Sequence, residues 1–385
     1  MRSDTKAKKT IIGVLLPRTT IKRLEQQKSS LRWDEMVQAN KRWKTKLYFF
    51  CYEDIDLKNQ TISGVFYNAR LKKWKRKEFP YPNVLYRRVG SFNNKGKEFK
   101  QQLDSLGTKI LNYERIFNKW DLHQHCEKNE FLCSYVPTTI SYEDSESLLH
   151  MLNKYRELYL KKYSSGQGKH VIKVLKNSEN NYECHHFRKR LTVKKFESFS
   201  SLVNYIEKFF RNKGFIIQQA IQLKCYNGRP FDIRAELQRD NNNQINIIGI
   251  MVRIGKENSP VTTHGTSYTL EDFFINKLNY TETEFSKLNN EINIFLKKVY
   301  ENIEEMYGSC GELGIDFAID QQEKIWFIET NAQTKKVSLK KAYGREKVYE
   351  SYKNLLGYGK LITEKPGLFM KSAKKTYDHK SYSLK

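Results

Sequence analysis

The sequence predicts a mixed α/β protein of two or three units, and three observations carry the prediction. Short β-branched runs such as TIIGVLLP (residues 10–17) read as buried strands. Strict alternation, as in Ile315, Phe317 and Ile319 against Asp316, Ala318 and Asp320, reads as a half-buried strand. Between such runs lie segments with helical periodicity, residues 281–307 among them. A chain of 385 residues with 39% hydrophobic and 13% aromatic residues has enough apolar material for substantial cores.

In chain order, the strand at 10–17 ends at a proline, which cannot donate to a sheet ladder. Residues 19–45 are charged helix material. KLYFFCYEDIDL, TISGVFYNARLKKWKRKEF and NVLYRRVG are strand signals punctuated by turns. KEFKQQLDSL (97–106) is an amphipathic helix closed by Gly107, and TKILNY follows as a strand. Residues 1–115 therefore read as one small α/β unit. Asn118 is a good N-cap for a helix beginning Lys119-Trp120-Asp121. FLCSYVPTT reads as extended, a helix follows over 144–155, and ELYLKKYSSGQGKHVIKVL (157–175) reads as two strands around Ser164-Ser165-Gly166-Gln167-Gly168. A helix at 198–212 leads to the buried strand GFIIQQAIQL (214–223), then to the strands FDIRAELQRD and INIIGIMVRIG. A helical segment near 346–359 precedes a basic tail.

Sixty-nine Lys and Arg against 43 Asp and Glu give a net charge of +26, which implies polyanionic company: nucleotide, nucleic acid, an anionic polymer or a membrane surface. No recognised nucleic-acid motif accompanies the charge, which argues against nucleic acid. No uncharged apolar run approaches the length of a membrane span, and the apolar segment Ile11 to Leu16 is too short for a signal peptide. Six cysteines without CxxC spacing argue against zinc and a disulfide framework and fit reduced thiols in a cytoplasmic protein.

Chemistry concentrates in GELGIDFAIDQQEKIWFIETN (311–331). A hairpin closed symmetrically about Gln321-Gln322-Glu323-Lys324 pairs Asp320 with Ile325, Ala318 with Phe327 and Asp316 with Glu329. It puts Ile325, Phe327, Glu329 and Asn331 on one face, with Asp316 and Glu329 about 5 Å apart. Like charges so placed destabilise a sheet. Either they share a solvated outer face, or they hold Mg²⁺, which takes hard oxygen ligands from one or two carboxylates plus substrate phosphates. The small-residue loop 164–168 suits close approach of backbone amides to an anion, and Lys161 at its entrance adds charge. Its spacing matches neither a Walker A loop nor a dinucleotide fingerprint. Asp232 and Arg234 share a face of one strand and Arg253 lies late in the next. Such arginines suit a polyphosphate or carboxylate, although a surface salt bridge is the usual fate of each alone. His264 lies in a loop without an identifiable partner, and His123/His125 and His185/His186 lack metal-ligand spacing.

Taken in order, a helix-start lysine, a strand lysine before a small-residue loop, a buried hinge strand, a DxR strand and a DF…ExN hairpin resemble the ATP-grasp nucleotide-binding fold. Within it the chain looks most like the YheC/YheD family of endospore coat-associated proteins. LYFFCYEDIDLKNQTISGVFYN with PYPNVLYRRVG, GFIIQQAIQL with PFDIRAEL, and the 311–331 stretch carry the likeness, which spans roughly residues 10–360. It implies a small α/β N-terminal domain over 1–115, an ATP-grasp domain over 116–345 with subdomains 116–213 and 214–345, and a C-terminal helix and tail over 346–385. It assigns Lys119 and Lys161 to the phosphates of ATP, and Ser165, Gly166 and Gly168 to a lid over them. The backbone of Gln219, Ala220 and Ile221 would meet the adenine edge, with Gln218 where such proteins often carry an acid. Asp316, Glu329 and Asn331 match ligands for two Mg²⁺ ions, and Arg234 and Arg253 match positions that stabilise the transferring phosphate.

Three departures from the family pattern sit around the acceptor side. Lys162 replaces a proline, Asn331-Ala332-Gln333-Thr334-Lys335-Lys336 replaces an Asn-x-x-Pro-Gly loop, and Thr262-Thr263-His264-Gly265 replaces an Asn- and Gly-rich loop. The implied function is ATP-dependent ligation of a carboxylate to an amine through an acyl-phosphate, on a peptide-like or anionic substrate, in the cytoplasm or with a spore coat. The alternatives are a small-molecule kinase on the same fold and a coat or scaffold protein that binds nucleotide without turnover.

Overall fold

The computed structural model describes residues 9–90, 93–112, 114, 116–165, 170–177, 181–187, 191–211, 213–254 and 266–370. Gly166, Gly168, the loop bearing His264 and the basic tail lie outside the described residues. Among those described, three sheets organise the chain.

The first sheet is built on Ile11–Leu15, which pairs in parallel with Lys46–Phe50 on one side and Val84–Arg87 on the other. Lys109–Leu111 extends it in parallel, and the hairpin Thr61–Asn68 with Lys73–Pro80 continues its opposite edge. A parallel strand covered on both faces must be apolar along its whole length, which is why TIIGVLLP shows no alternation. The charged stretch 19–45 forms two helices, Arg18–Glu25 and Leu31–Trp43. The carboxyl end of Val84–Arg87 reaches the third sheet's last loop: Gln333 Nε2 donates to the Arg87 carbonyl at 2.8 Å, and Arg88 Nη2 to the Thr334 carbonyl at 2.6 Å.

The second sheet is antiparallel throughout, in the order Leu191–Phe196, Tyr182–Phe187, Val171–Lys176, Glu157–Lys162, Phe215–Gln219, Thr139–Ser141. Helices Ser145–Tyr155 and Phe199–Phe210 cover its apolar face, where Leu158, Leu160, Ile172 and Ile217 are buried. FLCSYVPTT is not extended throughout: Leu132–Tyr135 makes a 3₁₀ turn before the strand Thr139–Ser141. The buried strand expected over 214–223 stops at Gln219, where the chain leaves the ladder.

The third sheet runs Thr266–Thr269, Ile245–Ile254, Arg229–Arg239, Glu312–Ile319, Ile325–Asn331, all antiparallel. One face packs Ile233, Ala235, Ile315, Phe317 and Phe327 into the core formed with Glu282–Tyr307. That helix starts at a capping box in which Thr281 and Glu284 satisfy each other's backbone N–H groups. The other face meets the first sheet and Val337–Glu364, a helical stretch longer than the sequence predicts and broken at Gly344, where φ is 81°.

Candidate functional site

The hairpin register departs from symmetry in a way that builds the site. Asp320 stays out of the ladder: its Oδ1 accepts from the Gln322 and Lys324 N–H groups, and its Oδ2 from Trp326 Nε1 at 2.7 Å. The ladder therefore begins Ile319↔Ile325, Ala318↔Trp326, Phe317↔Phe327, one residue off the expected pairing. A bulge between Asp316 and Phe317 takes up Ile328 and restores Asp316↔Glu329. Its effect is a change of face. Ile325 and Phe327 point into the core with Phe317, so they do not share a face with Glu329 and Asn331 as simple alternation predicts. Glu329 lies opposite Asp316, and Asn331 opposite Gly314.

Asp316 is buried and doubly countered. Arg234 Nε and Nη2 donate to its two oxygens, the second at 2.5 Å, and Arg253 Nη2 reaches Oδ1 at 3.1 Å. Arg253 also forks onto Asp232 at 2.7 and 2.5 Å. Burial pushes the Asp316 carboxyl up, but Arg234 and Arg253 outweigh it and hold the group below its ordinary value. Gly314 makes this possible, since a Cβ there would come within 2.9 Å of Arg234 Nη1 and 3.0 Å of Thr334 Cγ2. Asn331 Nδ2 lies 3.4 Å from Asp316 Oδ2 and 3.3 Å from Glu329 Oε1, joining the two carboxylates.

A cleft of about 650 Å³, its open mouth included, lies between the second sheet and the edge of the third. Lys119, Lys161, Ser165, Gln218, Glu329 and Asn331 line it together. Asn118 caps the helix Lys119–Lys128 by accepting from the Trp120 and Asp121 N–H groups, and this cap sets the position of Lys119. Lys119 Nζ donates to the Ser165 carbonyl at 2.7 Å and lies 3.8 Å from Glu329. Lys161 Nζ donates to Gln218 Oε1 at 2.6 Å. Burial pushes Lys161 down to about 8, with Glu329 drawing it back up and Lys119 adding repulsion. Burial likewise lowers Lys119, against the pull of Glu329. Gln219, Ala220 and Ile221 are not among the lining residues. The N–H groups of Gln219 and Ala220 donate to the Thr138 and Glu157 carbonyls.

Four cationic side chains, Lys119, Lys161, Arg234 and Arg253, thus stand with three carboxylates, Asp232, Asp316 and Glu329. The balance favours an incoming polyanion. Two hard carboxylates and an amide on one face are a suitable donor set for Mg²⁺, and the arginines already present mean that the ion gains most when phosphate arrives with it. Among the described residues no group of three His, Cys, Asp or Glu side chains converges as a metal cage. Sequence reasoning set His123 aside with His125 for want of metal-ligand spacing; it is buried in the cleft wall, which nothing in its own helix signalled.

Two sheets gripping a cleft, with lysines from one and an acid–acid–amide hairpin from the other, define an ATP-grasp protein. A family model described as YheC/D-like ATP-grasp matches residues 107–362, and the chain belongs to that family. The endospore coat-associated protein YheD of Bacillus subtilis (strain 168) is 26% identical over 316 residues, covering 79% of this chain and 68% of that protein. Among solved structures, D-alanyl-alanine synthetase A from Vibrio cholerae is 12% identical with a TM-score of 0.53, over 94% of this chain and 98% of the other. The ATP-grasp ligase PsnB complexed with minimal precursor is 11% identical with a TM-score of 0.51, over 89% and 100%. At such identities the likeness to these structures is one of fold. The ATP-grasp fold implies ATP binding, and no described helix is long and apolar enough to cross a membrane.

Proposed function

We propose that the protein is a magnesium-dependent ligase that couples ATP cleavage to joining a carboxylate with an amine. The observation that carries this reading is the convergence of Lys119, Lys161, Glu329 and Asn331 on one cleft, with Asp316 behind Asn331 and the two arginines paired to Asp316. Lys119 and Lys161 hold the phosphates, and Ser165 closes their side of the cleft. Asp316, Glu329 and Asn331 would hold Mg²⁺, which supplies charge neutralisation and alignment of the phosphate oxygens. Arg234 and Arg253 face the charge that develops as a substrate carboxylate oxygen bonds to the γ-phosphorus and ADP departs. The amine nitrogen then bonds to the acyl carbon and expels inorganic phosphate. Residues 1–115 with the loop 332–336 frame the acceptor side, the ATP-grasp domain spans 116–345, and the chain works in the cytoplasm or at the endospore coat for which its relative is named.

The test is release of ADP and inorganic phosphate by the full chain across a panel of carboxylates and amines. Free phosphate that appears only when both partners are present supports the ligase. Hydroxyl-dependent ADP release without free phosphate would instead make the protein a kinase, and tight ATP binding with no release would make it a nucleotide-binding scaffold.

The lysine pair also sets a pH dependence. Lys161 titrates near 8 in the free protein, so above that pH the site loses a positive charge. A bound polyphosphate stabilises the charged form, and nucleotide binding at pH 8–9 is therefore expected to take up a proton. Calorimetry in buffers of different ionisation enthalpy should show this uptake, with affinity falling as pH rises through 8. Lys161→Met should abolish both effects; their persistence would assign the titration elsewhere.

A further inference from the structure

We infer that the hairpin of Thr61–Asn68 and Lys73–Pro80 is a docking surface for an acidic polypeptide segment, held extended along Lys73, Lys75 and Lys77. The inference goes beyond the nucleotide reading and does not rest on it, since no residue of this hairpin lines the cleft. Residues 70–77 read RLKKWKRK, six cations without an acid. Arg76 is answered by Glu25 at 2.8 Å and Asp54 at 2.7 Å. Arg70, Lys72, Lys73, Lys75 and Lys77 are exposed, and none of the five forms an ion pair among the described residues.

The fold gathers these charges on one side. Trp74 is buried against Phe49 and Tyr67, and Arg76 turns to the helix Arg18–Glu25, so the even positions of the strand face inward and toward that helix. Lys73, Lys75 and Lys77 therefore share the other face, each about 6.8 Å from the next. Across the ladder they meet Asn68, Phe66 and Gly64, with no counter-charge. Like charges so placed repel one another, and an anionic partner recovers that cost.

Spacing and the strand's free edge identify the partner. An extended peptide carries alternate side chains at the same repeat, so acids at every second residue meet the three lysines one to one. Among the described residues the strand Lys73–Pro80 pairs only with Thr61–Asn68, which leaves its outer edge without a ladder. At Trp74 that edge is met by the Gln27 amide, whose Oε1 accepts from the Trp74 N–H at 2.8 Å and whose Nε2 donates to the Trp74 carbonyl at 3.1 Å. Alternation turns the N–H and C=O groups of Arg76 and Glu78 the same way, toward an added strand. Edge lysines deter other strands from pairing, and an acidic segment is the kind they admit. Nucleic acid fits less well, because bases need a free aromatic face, whereas Trp74 and Phe79 are buried and Lys77 Nζ sits 5.0 Å over the Phe66 ring. A bilayer needs more apolar surface than Leu71 at the tip provides.

The test is fluorescence anisotropy of labelled poly-L-glutamate, long enough to span the strand, with the full chain in the presence and absence of ATP. The combined change Lys73→Glu, Lys75→Glu and Lys77→Glu is expected to weaken binding at least about tenfold. Lys208→Glu, Lys287→Glu and Lys297→Glu together, an equal change of charge at exposed positions on other helices, should weaken it less than about threefold. Changing the three hairpin lysines to Gln should give a smaller loss in the same direction, and carries the comparison if urea unfolding shows that the reversal disturbs the fold. Equal losses in the two reversed variants would reduce the effect to diffuse charge and overturn the inference. Displacement by ATP, or a loss confined to Lys161→Met, would place the peptide in the cleft and overturn it too. So would tighter hairpin-dependent binding of polythymidylate or of phosphatidylserine vesicles, which would make the partner nucleic acid or membrane. No binding at all would leave the lysines as guards of a bare edge, and the inference would fall.

Discussion

Asp316→Asn is expected to remove the magnesium dependence of ATP binding while leaving metal-free ATP bound as well as, or better than, by the wild type. The reason is the charge balance of the site. The Asp316 carboxylate answers Arg234 and Arg253 at once, and a neutral amide raises the positive excess that meets the phosphates. It also removes one of the two carboxylates proposed to hold Mg²⁺, the one opposite Glu329. Titration of ATP with magnesium and with chelator should give curves that differ in the wild type and coincide in the variant. A variant that still binds ATP more tightly with magnesium would show that the ion is held elsewhere. The substitution also leaves two buried guanidiniums undercompensated, a cost of about 3 kcal/mol, read as a lower unfolding free energy in urea. The same balance predicts that Mn²⁺ alone binds too weakly to be seen by electron paramagnetic resonance and becomes visible when a non-hydrolysable ATP analogue is added.

The second large effect belongs to the charges buried beneath the loop that follows Asn331. Lys336 Nζ lies 2.9 Å from Glu236 and 2.8 Å from Glu312, and Arg88 Nη1 and Tyr86 Oη reach the same Glu312 at 2.8 and 2.7 Å. Burial pushes Glu312 up, but Lys336 and Arg88 dominate and bring its carboxyl to about 2, against 4.5 when unfolded. A depressed carboxylate contributes stability that is complete above its unfolded value and is lost as pH falls from about 4.5 toward 2. The shift corresponds to about 3 kcal/mol. Lys336→Met strands two buried carboxylates with Arg88 as their remaining cation in this cluster, and should cost about 3–5 kcal/mol at pH 7. It should also raise the Glu312 value, so that acid destabilisation sets in at higher pH than in the wild type. Urea unfolding at pH 7 and pH 4 measures both. Stability within about 1 kcal/mol of the wild type at both would mean that the cluster is electrostatically idle.

That cluster matters for the site because it draws on distant parts of the chain. Tyr86 and Arg88 come from the first sheet, Glu236 and Glu312 from two strands of the third, and Lys336 from the turn after the hairpin. Asn112 adds neutral ties, accepting from the Gly311 and Glu312 N–H groups and donating to the Glu312 and Ala332 carbonyls. Together they fix the open end of the strand pair that carries Asp316, Glu329 and Asn331, opposite its turn. They also fix the first sheet against it.

Some of this was legible before folding is considered. The cap at Asn118 depends on residues within three positions of each other, and the structure shows it; the strand around Asp316 also forms, but all of Glu312–Ile319 is buried, so its alternation does not mark a solvent face. The pairing of Asp316 with Glu329 was legible only in part. A symmetric turn predicts that contact but also the pairs Asp320 with Ile325 and Ala318 with Phe327, which do not form, because Asp320 is drawn into the turn by three hydrogen bonds. The bulge at Ile328 then compensates, and no periodicity in the sequence marks it.

His123 shows the opposite case. Nothing within its helix distinguishes it from a surface histidine, and its burial in the cleft wall is set by the elements packed against the helix. The sequence by itself determined the strands, the helices, their caps and the order of motifs that marks the family, because those follow from short-range geometry and from the period of side chains along a strand or helix. Only the tertiary structure decided which arginines answer Asp316, which face Glu329 takes and where Lys336 is neutralised. Those are pairings between residues tens to hundreds of positions apart, and they become favourable only once burial has stripped each group of water and left it to find a partner.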